Sequence, residues 1–375
     1  MNFAFDTVPN ILFETGAAAR LGDIVRPRMK RPAFVTDKGV VAAGLTEAAL
    51  ASLDRAGLDA ILIDTIEADP PAAVVKAAVD AATAHGADGV IGFGGGSSMD
   101  TAKIIAVLIK SAQRLEDIYG MDNVEGARSP LILAPTTAGT GSEVTNIAVI
   151  TTQDDQKTGI VAPQLYADMA LLDAALTLSM PRHVTAATGV DAMVHAIEAY
   201  TTKLKKNPIS DALATKALAL LSSNIVRACE TPDDLAAREA MLLGAMLAGQ
   251  AFANAPCAAV HALAYPLGVH FHVPHGLANS LMLAPVLRFN APATGDLYAE
   301  LGPCVGARPD AEAFIETLTA VCAATGVKQR LSEVGVSHNA LPRLAEDAVK
   351  IERLMKNNPR EVTYEDALRL YTEVL

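Results

Sequence analysis

The stretch Gly89-Val90-Ile91-Gly92-Phe93-Gly94-Gly95-Gly96-Ser97-Ser98-Met99-Asp100 decides the architecture. Residues 89–93 read as a buried strand, and residues 101–110 read as a helix from their apolar spacing. Between them, three successive glycines allow backbone angles closed to other residues and let a ligand approach the main chain. A helix opening just after such a turn points free N–H groups and its positive dipole end into that space, an anion site suited to pyrophosphate. Gly94, Gly95, Gly96, Ser97 and Ser98 are therefore candidate cofactor contacts. The spacing is neither G-x-G-x-x-G nor the Walker lysine pattern, so the strand–turn–helix context carries the reading.

Around this unit, β-rich runs are predicted at 33–36, 60–64, 131–134, 147–151 and 170–172, several of them separated by Ala-rich helical stretches. Strand, helix, strand in this rhythm predicts parallel pairing with right-handed crossovers, an open α/β sheet. One helix is predicted to start at Asp69-Pro70-Pro71, with Asp69 as its N-cap, and to stop at Gly86. Past about residue 180 the texture becomes Ala/Leu-rich with helical periodicity and no strand signal, as at 211–227, 235–253 and 311–325. The expectation is an α/β dinucleotide-binding domain over 1–180 and an all-helical metal- and substrate-binding domain over 181–375.

Composition narrows the class. The 375 residues carry 30 basic and 42 acidic side chains, a net charge of −12, with no basic cluster. Nucleic acid and anionic membrane surfaces need clustered Lys and Arg, so neither is expected as a partner. Hydrophobic residues make up 51% of the chain, yet no uninterrupted apolar run approaches the roughly 18 residues of a spanning helix. Residues 1–7 lack the pattern of a secretory signal. Cys229, Cys257, Cys304 and Cys322 stand singly without C-x-x-C spacing, as reduced thiols in a cytoplasm would.

A second loop, Pro135-Thr136-Thr137-Ala138-Gly139-Thr140-Gly141-Ser142-Glu143, follows the strand at 131–134. Its hydroxyls and glycines fall at a strand's carboxyl end, where open α/β sheets place ligands. Asp37 closes the strand at 33–36. A carboxylate there accepts hydrogen bonds from an adenosine ribose and repels a 2′-phosphate, favouring NAD; the other reading is a helix N-cap. Lys157 is a candidate phosphate partner.

Residues 190–200 read as a helix with Asp191 and His195 on one face. A buried carboxylate beside an imidazole costs free energy unless the two are paired or bound to a cation. Downstream come His261, in a helical run, and His275, between Pro274 and Gly276. Three imidazoles and one carboxylate suit Fe(II) or Zn(II), whereas Ca²⁺ or Mg²⁺ prefers an all-oxygen set. Glu198 shares the face of Asp191 and His195, either behind a ligand or on an ordinary helix surface. His270 and His272 either join the site or flank it, and Cys257 is read as core.

Taken together, these motifs resemble the iron-containing (group III) alcohol dehydrogenases. The resemblance runs from Gly94-Gly-Gly-Ser97 through Thr136-Thr-Ala-Gly-Thr-Gly-Ser-Glu143 and Gly189-Val-Asp-Ala-Met-Val-His-Ala-Ile-Glu198 to Val260-His-Ala-Leu-Ala-Tyr-Pro-Leu-Gly268 and Pro274-His-Gly276. It implies Asp191, His195, His261 and His275 as metal ligands, Fe(II) before Zn(II). It also implies Asp37, residues 94–98, Thr136, Thr137 and Lys157 as NAD(H) contacts, with Thr140 and Ser142 in the same loop. Phe252 matches an aromatic near nicotinamide and substrate. Many members carry His at the position of Tyr265, credited with relaying the alcohol proton. A phenol, with an ordinary pKa of about 10, is a poorer base near neutrality, so Tyr265 or His272 is expected in that role.

The expected function is metal-dependent, NAD(H)-linked interconversion of a small primary alcohol and its aldehyde, by a cytoplasmic protein that the resemblance makes a homodimer. Maleylacetate reductases usually lack the acidic ligand and carry a different threonine loop. Glycerol dehydrogenases and dehydroquinate synthases fit these motifs less well; a dehydroquinate synthase-like lyase would want basic residues in its substrate cleft, and 240–285 contains no Lys or Arg. A non-catalytic nucleotide-binding subunit has no need of four buried polar ligands.

Overall fold

The computed structural model describes residues 2–154 and 156–375. They form two units, each with its own core. The first comprises Thr7–Thr137 and Gly141–Ser179. Its strands are β1 (Ile11–Phe13), β2 (Pro32–Asp37), β3 (Ile61–Ile66), β4 (Gly89–Gly94), β5 (Gly120–Met121), β6 (Leu131–Pro135), β7 (Ile147–Thr151), β8 (Lys157–Val161) and β9 (Met169–Leu172). Its helices are α1 (Leu21–Val25), α2 (Lys38–Ala42), α3 (Glu47–Arg55), α4 (Ala72–His85) and α5 (Gly96–Leu108).

Six strands make one all-parallel sheet in the order β1-β9-β6-β4-β2-β3. Every residue of β4 and β6 is buried, as expected for strands covered on both faces. On one face Phe34, Ile91, Phe93, Ile132 and Leu171 pack with Leu21, Val25 and Leu53. On the other, Val75, Ile104 and Val107 pack with Ile118, Ile150 and Ile160. Gly92 sets how closely α5 lies on the sheet: a Cβ there would meet Leu133 Cδ2 at 2.6 Å and Ala102 Cβ at 2.7 Å.

Three local expectations are corrected. The run at 147–151 is not a strand of the main sheet; β7 pairs antiparallel with β8, and β8 pairs with β5, in a separate three-stranded sheet. Alternating burial of Ala148 and Ile150 faces that sheet onto the second core, an arrangement that a parallel-sheet rhythm does not announce. The helix expected from 101 begins at Gly96, after Gly95 as N-cap, so the last glycine and both serines form its first turn. Asp69 does not cap α4, whose N-cap is Pro71. Its backbone is turned to φ +53°, its carboxylate pairs with Lys157 at 2.7 Å, and its N–H donates to Ser97 Oγ at 3.2 Å.

The second unit contains Met180–Leu375, Ala138–Thr140 and the N-terminal segment ending at Asp6. The outlying pieces have specific anchors. Asp6 exchanges two 2.8 Å hydrogen bonds with the Asn254 side chain, and Gly139 lies so close to Thr188 that a Cβ would meet its Cβ at 2.6 Å. The helices are α6 (Arg182–Thr201), α7 (Pro208–Glu230), α8 (Leu235–Asn254), α9 (Ala259–Phe271), α10 (His275–Leu301), α11 (Ala311–Thr325), α12 (Leu341–Val349), α13 (Glu352–Met355) and α14 (Tyr364–Glu373). Past β9 the described residues hold no strand. Helix α6 is buried almost throughout from Thr185, packed by α7, α8 and α10. Among the described residues α7 is long and apolar enough to cross a membrane, as is the bent pair of α8 and α9 if taken as one span; Ala214, Ala217, Leu218, Leu221 and Ile225 of α7 are buried.

Candidate active site

Helix α6 is the platform of the site. Asp191 and His195, one turn apart, are both buried. His261 enters from the first turn of α9 and His275 is the first residue of α10. Gly276 makes the last approach possible: a Cβ there would meet Ala187 O on α6 at 2.3 Å and Asp191 Cβ at 3.3 Å.

The three Nε2 atoms of His195, His261 and His275 lie 3.9, 3.8 and 3.7 Å from Asp191 Oδ1, and the four ligand atoms fall within 4.8 Å of one another. Ligand bonds of about 2.1 Å at tetrahedral angles place donor atoms about 3.4 Å apart, so the cluster needs only slight contraction around a cation. His261 Nε2 is buried with no hydrogen-bond partner, which leaves its lone pair free for that cation. Burial keeps the His195 and His261 imidazoles below the ordinary histidine pKa, the latter far below. Burial also pushes the Asp191 carboxyl up, but the surrounding imidazoles and an Asn279 hydrogen bond outweigh it and hold it low. Neutral imidazoles and an ionised carboxylate are the protonation states that metal binding requires.

Two supports stand behind the cluster. Glu198, one turn beyond His195, accepts the His261 Nδ1 hydrogen bond at 2.6 Å and the backbone N–H groups of Ala258 and Val260 at 2.9 and 2.7 Å. It thereby fixes both the tautomer and the entry of α9, so of the two sequence readings the supporting one holds. Asn279, which the sequence reading missed, donates to Asp191 Oδ1 at 2.6 Å; its signal was its place one turn after His275. Replacing Glu198 with Gln is expected to weaken metal affinity by about 10- to 100-fold, measured by chelator competition on the folded apoprotein; unchanged affinity would reduce Glu198 to packing.

Phe252 stacks on His195 with ring centroids 4.3 Å apart, and the Tyr265 ring lies 5.9 Å from that of His275. Burial raises the Tyr265 phenol above its ordinary pKa, while Arg353 acts against that rise. His272 is exposed in a left-handed turn after α9, outside the ligand cluster. His270 flanks the site, bound to Asp347 at 2.8 Å. Cys257 lies beside Glu198 and His261 with its thiol pushed far up by burial, and it packs in the local core with Ala262 and Leu354.

In the sheet unit, the loops after β4 and β6 meet. Thr136 N–H donates to Gly94 O at 2.9 Å, and around Gly95 the nearest atoms to an added Cβ belong to Thr137, at 3.8 Å. Asp37 caps α2 through a 3.0 Å bond from Val40 N–H to Oδ1, while Oδ2 faces the Ser98 hydroxyl at 3.4 Å. Of the two sequence readings of Asp37, the helix N-cap is therefore observed. Thr140 belongs to the helical unit. Lys157 is tied by Asp69 to the residue that bonds Ser97. The Ser142 hydroxyl bonds Asp100 Oδ1 at 2.6 Å and accepts from Lys103.

That lysine was missed. Lys103 is fully buried, donating to Ser142 Oγ, Thr145 Oγ1 and Ile147 O at 2.8, 3.1 and 2.7 Å. Burial lowers its ammonium to about 8 and raises the neighbouring Glu143 carboxyl to about 7. Its sequence signal was only an Asp100-x-x-Lys103 pair one turn apart.

Comparison with known proteins agrees with this geometry. Residues 9–174 match the family model for iron-containing alcohol dehydrogenase, and residues 185–375 match that of the Fe-containing alcohol dehydrogenase family, C-terminal. Sulfoacetaldehyde reductase of Bilophila wadsworthia (strain 3_1_6) is 36% identical over 99% of this chain and 98% of its own. Lactaldehyde reductase of Escherichia coli (strain K12) is 34% identical, with 96% of each chain covered. The structure of an alcohol dehydrogenase from Oenococcus oeni superposes with a TM-score of 0.96 at 31% identity, covering 100% of both chains. The chain belongs to the iron-containing alcohol dehydrogenase family. Membership makes it an NAD-linked enzyme that interconverts alcohols and aldehydes.

Proposed function

We propose that this enzyme reduces short-chain aldehydes, and oxidises the matching primary alcohols, with Fe(II) before Zn(II) as the ion held by Asp191, His195, His261 and His275. The observation that carries the metal site is the convergence of three imidazole nitrogens on one carboxylate oxygen, with His261 Nε2 buried and unpartnered. A bound divalent cation supplies Lewis acidity toward the substrate oxygen; NAD(H) supplies the hydride chemistry. The short-chain reading draws support from the two named relatives, reductases of sulfoacetaldehyde and of lactaldehyde.

The chain's own residues bind and orient. The free N–H groups of the first turn of α5, with Gly94, Gly95 and Gly96, hold the pyrophosphate. Asp37 Oδ2 and Ser98 serve the ribose; Thr136, Thr137 and Thr140 line the cofactor path, and Lys157 sets positive charge beside Ser97. Ser142 acts through Asp100 and Lys103 rather than by touching cofactor. Phe252 gives the nicotinamide and substrate an apolar wall against His195. Tyr265 hands on the substrate proton, and His272 is its solvent-side acceptor. The working division of labour falls near residue 180, in a cytoplasmic homodimer; four cysteines with free thiols accord with a reducing compartment.

The test is anaerobic reconstitution with Fe(II), followed by NADH and a panel of two- to four-carbon aldehydes. Steady loss of NADH absorbance is expected. Tight NADH binding without turnover on any aldehyde or alcohol would instead mark a binding subunit.

A further inference from the structure

A negative charge already stands beside the turn that is to receive the cofactor's phosphates. Among the described residues no side chain caps α5, whose N-cap is Gly95, so its first-turn N–H groups stay open toward an anion. The first acidic side chain of α5, Asp100, is committed to the Ser142 hydroxyl at 2.6 Å and the Val149 N–H at 2.9 Å. Asp69 is placed differently. It lies between β3 and α4, and its N–H donates to Ser97 Oγ, in the first turn of α5, at 3.2 Å.

The main chain around Asp69 is pinned. Thr151 Oγ1 donates to Asp69 O at 2.9 Å, and the Thr151 N–H donates to Pro70 O at 3.0 Å. Thr151 is in turn the register partner of Lys157 across the β7–β8 pair. The same two strands therefore hold the Asp69 turn and the ammonium that faces it. At φ +53° Asp69 sits in the left-handed region, which Asp and Asn enter more readily than other residues with side chains. Only its carboxylate is left free to change partners.

That carboxylate meets Lys157 Nζ at 2.7 Å, with the lysine side chain 10% exposed and the aspartate side chain 50% exposed. Packing of the lysine stem keeps the ammonium in place, while water reaches the carboxylate and screens the pair, so the attraction between them is weak. An ammonium is a point charge with three rotatable donors, and a phosphate oxygen satisfies it as well as a carboxylate does. The carboxylate, in contrast, repels any anion arriving beside Ser97.

We propose that the Asp69 carboxylate is a resident counter-ion that Lys157 exchanges for a cofactor phosphate, so that Asp69 lowers NAD(H) affinity and speeds NAD(H) release. This rests on the reading above that puts the pyrophosphate at the first turn of α5 with Lys157 beside it. The exchange breaks and forms hydrogen bonds only. With cofactor bound, the carboxylate turns to water; as cofactor leaves, it takes the ammonium back and the empty site stays close to neutral.

The test uses Asp69→Asn, which keeps the left-handed preference and the main-chain bonds and removes the charge. NADH is titrated by nucleotide fluorescence, its dissociation is followed by stopped flow, and ADP and adenosine are titrated by calorimetry. Asp69→Asn is expected to bind NADH and ADP about fivefold more tightly, the upper scale for a pair with one solvated member. NADH dissociation should slow by a similar factor, and adenosine, which lacks phosphate, should bind unchanged. Added salt should weaken NADH binding more steeply in the variant, because an unpaired ammonium then faces the phosphates. In a Lys157→Met background the same substitution should tighten NADH less than twofold, since the two residues act as one pair. Weaker NADH binding by Asp69→Asn, an equal shift for adenosine, or full tightening without Lys157 would overturn the exchange. Wild-type NADH affinity in Lys157→Met alone would instead overturn the reading beneath it, that Lys157 meets the cofactor.

Discussion

Replacing His261 with alanine is expected to abolish metal retention and to lower aldehyde reduction at least about a thousandfold, the scale of losing several kcal/mol of Lewis-acid stabilisation. NADH binding should survive, because the glycine turn at 94–98, with Thr136 and Thr137, lies in a different unit with its own core. His261 is the ligand whose loss does most, since its two nitrogens hold two partners. Nε2 faces Asp191 at 3.8 Å and Nδ1 faces Glu198 at 2.6 Å. Alanine removes a donor to the cation and leaves a buried carboxylate with only backbone partners. Elemental analysis after purification, NADH titration and steady-state rates decide the matter; a variant with stoichiometric metal and normal turnover would refute the ligand assignment.

Lys103→Met is expected to destabilise the sheet unit by about 3–5 kcal/mol, the usual cost of removing one partner from a buried charged network. The melting temperature should fall on the order of 10 °C, and NADH should bind more weakly. The cause is local. The ammonium joins α5, whose first turn is the proposed pyrophosphate site, to Ser142, Thr145 and Ile147 beyond the threonine loop. Without it Asp100, Ser142 and Thr145 lose their shared donor in a dry site, and methionine offers none. An unchanged melting curve and unchanged NADH affinity would show that the network is dispensable.

The sequence made much of this legible, for a reason that differs by element. β4 and β6 read as strands because they are buried on both faces and therefore apolar throughout. β1 did not: three residues, with the ends Ile11 and Phe13 exposed, leave too short a signal. β8 opens on Lys157 and interrupts its apolar run with Gly159, and only its pairing with β7 identifies it. Asp69 looked like a cap because acidic residues before proline commonly are; the Lys157 ion pair, 88 positions away, turned it to another task.

The four expected ligands, the glycine turn and the change of texture near residue 180 were all in the residue types and their local spacing, because donor chemistry, backbone freedom and helical period are properties of neighbours in the chain. Which of those groups meet is another matter. The contact of Glu198 with His261, the approach of α10 allowed at Gly276 and the burial of Lys103 depend on segments tens of residues apart. Only packing brings them together, and only packing removes the water that would otherwise make each interaction weak.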